Sequence, residues 1–239
     1  MKNKKKNPWE IKDIVYVFLV VILISIVFKL IFSFICFENF FEQTGCKSLL
    51  MLGLYFLQIL ILLIPLAFFT LYKYRSKIKD FGFNKINILK TLPYIFGAYL
   101  AFIGLSILIA VISSISGTEL PGFQSQSPIL PLFGTDNFSF VIAIIVIVII
   151  APIIEEMFFR GYILQTLSKN LSTSTSSIIT ALIFASVHFE FQSFIPIFLL
   201  GIILNWLFLK FNSIWPSILF HFLNNIITFT IFYYIGEGI

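Results

Sequence analysis

The stretch FVIAIIVIVIIAPIIEEMFFRG, residues 140–161, decides the fold. From Phe140 to Ile154 it carries no charge, and Pro152 is the only break before Glu155, Glu156 and Arg160 arrive within six residues. Such a run, continued through an apolar segment to Leu167, is long enough to cross a bilayer. Ionisable groups cost roughly 2.5–3.5 kcal/mol each near the middle of an inserted helix, so a membrane helix that keeps three of them has a use for them. A helix that had merely reached the interface would stay polar. This one turns largely apolar again after Gly161, and its next basic residue is Lys169.

Composition agrees. Of 239 residues, 59% are hydrophobic and only 11% charged, against about a quarter charged in soluble domains. The expected fold class is all-α: a polytopic transmembrane helix bundle of about seven spans, six or eight remaining open, with a polar cavity inside the membrane. The apolar runs are Ile14–Phe37, Leu49–Leu71, Leu89–Ser113, Phe140–Leu167, Ser176–Phe189, Phe194–Leu209 and Trp215–Ile235. The first follows a basic segment, but it is too long for a signal h-region and lacks a small-residue cleavage site, so it reads as a retained span. Two segments follow: residues 1–137 with about three spans and an outer loop, and residues 138–239, which hold the notable polar residues.

The net charge of +5 does not point to nucleic acid, because the basic residues fall in short loops that flank apolar runs. Lys73, Arg75, Lys77, Lys79 and Lys85, with the basic amino terminus, place both segments on the cytoplasmic side by the positive-inside rule. The lipid bilayer is therefore the first partner. The expected location is a cell membrane, multi-pass, with the amino terminus cytoplasmic. Cys36 and Cys46 have no CxxC spacing and no accompanying histidine, which implies neither a metal site nor a redox motif.

Both histidines of the chain, His188 and His221, lie in apolar surroundings of the back segment. At about 1.5 Å per residue, Glu155 lies roughly 20 Å along its helix from Lys169, and His188 roughly 20 Å from the loop near Ser174. His221 and Asn225, one turn apart, project from one face toward that same layer. Glu155 and Glu156 are about 100° apart on a helix and are not expected to share one target. Glu156 and Arg160, at i and i+4, have the spacing of a helical ion pair, in which Arg's fork orients the carboxylate. Glu155 is left without a dedicated countercharge, which makes it the candidate for a general base.

The order Glu-Glu-x-x-x-Arg (Glu155, Glu156, Arg160), Phe-x-x-x-His (Phe184, His188) and His-x-x-x-Asn (His221, Asn225) resembles the CPBP family of intramembrane proteases. That family includes the CAAX prenyl endopeptidase and the bacterial Abi and bacteriocin self-immunity proteins. The resemblance covers about Phe138 to Ile235. Asn205 and Asn212 stand where many members have Gly, which suggests packing and a turn rather than chemistry. It implies a glutamic endopeptidase in which Glu155 activates water with help from His188, His221 and Asn225 stabilise the oxyanion, and Glu156 and Arg160 support them. No cofactor is then required. Two histidines and a glutamate would also suit zinc, and that alternative stays open.

Two other functions share these features. A proton-coupled transporter also keeps Glu and His inside a bundle, although the two halves show no internal repeat of the kind many transporters carry. A non-catalytic peptide-binding immunity protein would keep the fold without the reaction. The bias toward Ile, Lys, Asn and Phe suggests an AT-rich bacterial genome and hence a bacterial plasma membrane. The expected substrate is a hydrophobic, membrane-associated peptide or protein, in bacteriocin immunity or peptide maturation.

Overall fold

The computed structural model describes residues 7–35, 53, 57, 59–117, 120–123, 137–188 and 190–235, and among them there are helices and no strand. Seven helices follow the seven apolar runs: α1 (Ile11–Ile35), α2 (Ile59–Lys73), α3 (Ile88–Ser116), α4 (137–167), α5 (Thr173–Ser186), α6 (Phe194–Phe211) and α7 (Trp215–Ile235). Three stretches are long and apolar enough to cross a membrane: Ile88–Ser116, Phe140–Leu167 and Phe191–Phe211. Leu19, Leu23 and Ile26 on α1 and Ile107, Leu108 and Ile115 on α3 are exposed. Such apolar rows suit lipid, because a helix satisfies its own backbone polar groups there. The protein is a membrane protein. Cys36, Cys46 and most of the loop after Phe123 lie outside the described residues.

Local chemistry sets the helix ends. Asn87 caps α3 by accepting from the Lys90 amide, and Gly117 closes it at φ +63°. Ser172 caps α5 through the Thr175 amide. Asn212 ends α6 in the left-handed region at φ +48°, which places the expected turn where a glycine would be relaxed. α4 is not uniform. It widens to i→i+5 bonding over Ile144–Ile150 and again over Met157–Leu164, with a regular turn, Ala151–Glu156, between. Such widenings are uncommon and recur near functional sites.

The chain divides into two compact units, Met1–Lys77 with Pro128–Ile154 and Asn225–Ile239, and Ile78–Ser127 with Glu155–Asn224. In the first, Ile142, Ala143, Val146, Val148 and Phe229 form an apolar cluster. The start of α1 is tied to the end of α2, because fully buried Asp13 accepts from Lys73 Nζ at 2.5 Å and from the Tyr74 hydroxyl at 2.6 Å.

In the second unit, α5 and α6 pack closely side by side. A Cβ on Gly201 would lie 3.1 Å from Ala181 Cβ and 3.3 Å from Phe184 Cδ1, so a side chain there would make these neighbours give way by a few tenths of an ångström. The segment 78–86 packs against this pair's surroundings. Ile214 N donates to Gly82 O at 2.9 Å, Asn84 Nδ2 to Asn212 O at 2.7 Å, and Gln165 Nε2 to Asp80 O at 3.1 Å. Phe81 is buried against Gly161. The loop thereby fixes the end of α4 and the α6–α7 turn, which set the position of the site.

Candidate active site

Glu156 and Arg160 are completely buried, and Arg160 Nη1 donates to Glu156 Oε1 at 2.9 Å, as the i, i+4 spacing anticipated. The same Oε1 lies 2.9 Å from His221 Nδ1. A carboxylate paired with arginine only accepts, so His221 Nδ1 donates to it and Nε2 lies on the other side of the ring. That nitrogen is 3.8 Å from Glu155 Oε2. The Glu155 side chain keeps 27% of its surface exposed where that of Glu156 keeps none. One carboxylate is thus locked in a network and its neighbour is left accessible.

The sequence expectation that adjacent glutamates would serve different targets needs correcting. Both face His221, because an imidazole offers two nitrogens on opposite edges and can bridge side chains that diverge by 100° around a helix.

His188 stands at the end of α5, where Nδ1 donates to the Phe184 carbonyl at 2.6 Å, one turn earlier. Its ring meets the Phe184 ring edge-on at 4.6 Å between centroids, and Phe184 meets His221 at 6.0 Å. The two histidines therefore flank one aromatic ring, which also lies 4.5 Å from the Arg160 guanidinium carbon. No hydrogen bond or ion pair joins His188 to Glu155 among the described residues. Asn225 lies one turn beyond His221 on α7, in the other compact unit, and there its side-chain amide donates to Ile147 O at 3.0 Å.

The structure adds partners on α6 that the sequence assigned to packing. Arg160 Nε donates to Asn205 Oδ1 at 3.0 Å, and Nη2 to the Gly201 carbonyl at 3.1 Å. Asn205 Nδ2 in turn donates to the Ser177 carbonyl at 2.8 Å. The available signal was a lone asparagine inside the apolar run Phe194–Leu209, since buried amides require partners.

Residues 137–227 match the family model described as type II CAAX prenyl endopeptidase Rce1-like. Over this segment the chain is similar to a CAAX-type intramembrane protease. The Rce1-like segment begins at the first residue of α4 and ends two residues past Asn225, so it contains Glu155, Glu156, Arg160, His188, His221 and Asn225. It agrees with the resemblance read from the three motifs. No curated protein and no solved structure matches the chain.

Zinc requires three or four nitrogen, oxygen or sulfur donors converging at about 2.0–2.3 Å. Among the described residues no three of His, Cys, Asp and Glu group in that way. His221 Nδ1 is engaged by Glu156 and His188 Nδ1 by a backbone carbonyl, which leaves Nε2 as the ring nitrogen outside those two bonds.

Proposed function

We propose that the protein is an intramembrane endopeptidase that hydrolyses a peptide bond of a membrane-associated peptide or protein with water activated by Glu155, and that it needs no metal. The observation that carries this reading is the His221 ring between buried Glu156 and accessible Glu155. Glu155 removes a proton from water as the water oxygen bonds to the scissile carbonyl carbon. His221 Nε2, 3.8 Å away, receives that proton and becomes a donor to the oxyanion while Nδ1–H stays on Glu156. By family resemblance, Asn225 is the second donor and His188 helps to hold the water. On collapse the C–N bond breaks and the proton passes to the leaving amine. Glu156 keeps its charge throughout, stabilised by Arg160.

The protein on this reading sits multi-pass in a bacterial plasma membrane with its amino terminus cytoplasmic, and residues 138–239 form the catalytic half. Bacteriocin immunity or peptide maturation are the roles such cleavage would serve. The deciding experiment follows cleavage of a membrane-peptide library by purified, chelator-treated protein, with Glu155→Gln beside it. Cleavage by the wild type alone supports the proposal. Cleavage restored only by added zinc overturns the metal-free mechanism, and undiminished cleavage by Glu155→Gln overturns the role of the glutamate. A protein that instead moves protons across proteoliposomes without cleaving is a transporter.

A further inference from the structure

Arg160 has five N–H donors in a rigid plane, and its simplest arrangement with a carboxylate is two parallel bonds to both oxygens. That is not what the site contains. Only Nη1 reaches Glu156, and only at Oε1, while Glu156 Oε2 accepts no hydrogen bond. The remaining edge of the fork is held elsewhere. Nε is on Asn205 Oδ1 and Nη2 on the Gly201 carbonyl, two acceptors one turn apart on α6. Asn205 is itself immobilised by the Ser177 carbonyl, and its side chain is completely buried. The Phe184 ring covers one face of the guanidinium.

We infer that Asn205 is a positioning residue: by holding Arg160 Nε to α6, it prevents the guanidinium from closing on both oxygens of Glu156, and so keeps Glu156 Oε1 directed at His221 Nδ1. The inference rests on the proposed proteolysis only for its functional consequence. Without the Asn205 acceptor, Nε is left buried and unpaired, a cost that favours rotation of the fork onto Oε2 of Glu156. His221 Nδ1 then loses its acceptor. The nearest alternative for the ring proton is Nε2, which faces Glu155 Oε2, so the proton would be donated to the carboxylate that has to take one from water. Asn205 thereby acts two contacts away from the reaction, on which nitrogen of His221 is protonated.

The test uses the full chain in lipid bilayers. The protein has two histidines, so in a His188→Gln background ¹⁵N-histidine solid-state NMR reports His221 alone. Asn205→Leu, close in volume but without an acceptor, is expected to move His221 from the Nδ1–H to the Nε2–H form, and Asn205→Asp, which keeps the acceptor oxygen, to retain Nδ1–H. In the His188 background of the native chain, Asn205→Leu should lower kcat by about 10²-fold, the scale of a small misplacement at a reacting group, with KM little changed. If Asn205→Leu does not fold, Asn205→Gly answers the same question, since it removes the acceptor without adding bulk. An unchanged Nδ1–H signal in the variant that folds overturns the inference. A tautomer change in a protein whose wild type cleaves nothing upholds it and defeats the proteolytic reading instead.

Discussion

Glu156 and Glu155 are chemically identical neighbours, and their surroundings give them opposite expected phenotypes. Glu155→Gln keeps size and removes the basic oxygen, so cleavage should fall by about 10²–10⁴-fold while the protein stays folded, as checked by size-exclusion profile and thermal midpoint. Arg160→Ala leaves the carboxylate of Glu156 buried without its cation. It should lower stability by about 3–5 kcal/mol, the usual consequence of breaking one half of a buried pair. Arg160→Lys should rescue only part of this, because an ammonium cannot reach Glu156, Asn205 and Gly201 with a fixed planar fork. A purified Arg160→Ala protein with wild-type thermal stability would contradict the buried network.

At the scale of elements, the close approach of α5 to α6 is what seats Phe184 between the two histidines and Arg160. Gly201→Val should cost about 1–3 kcal/mol through overpacking against Ala181 and Phe184. It should also reduce cleavage, because Phe184 carries His188 on its own carbonyl. Thermal unfolding in detergent together with turnover would show both, and a stable, fully active variant would mean that the helices part without consequence. The tie between α1 and α2 lies ahead of the apolar run that begins at Ile14. Burial alone would raise the Asp13 carboxyl, but the bonds from Lys73 and Tyr74 outweigh it and hold it below the usual aspartate range. The Asp13 hydrogen bond in turn raises Lys73. The aspartate contribution is therefore present above its unfolded value of 3.8 and is lost as pH falls through the lower folded value. The lysine contribution is present below 10.5 and is lost as pH rises through its higher folded value. Between those limits Asp13→Asn should lower the thermal midpoint, and the difference from wild type should vanish at acid pH.

For the whole molecule, orientation decides from which side a substrate enters. The basic loop bearing Lys77 is expected on the cytoplasmic face. In a chain whose two native cysteines are replaced by serine, Lys77→Cys should resist an impermeant thiol reagent in intact cells and react after lysis. Labelling of intact cells would invert the topology.

Membrane residence, the helical class and the pairing of Glu156 with Arg160 were legible in the sequence, because each follows from one helix taken alone. Length and apolarity state that a segment prefers lipid, and the i, i+4 rule brought Glu156 to Arg160 without knowledge of any neighbour. Depth along each helix also put Glu155, His188 and the turn of His221 and Asn225 at one layer; of these the structure brings Glu155 within 3.8 Å of His221, and no hydrogen bond or ion pair joins His188 to Glu155 among the described residues. What the sequence could not supply was rotation: which face of α7 and α6 turns toward α4. That depends on long-range packing, such as Gly201 against Ala181 and the 78–86 loop against the α6–α7 turn. Only the tertiary structure therefore decided that one imidazole bridges both glutamates, and that Asn205 serves the guanidinium rather than the packing. Periodicity specifies which residues share a face of a helix, whereas a hydrogen bond between helices forms only after their faces have been set against each other.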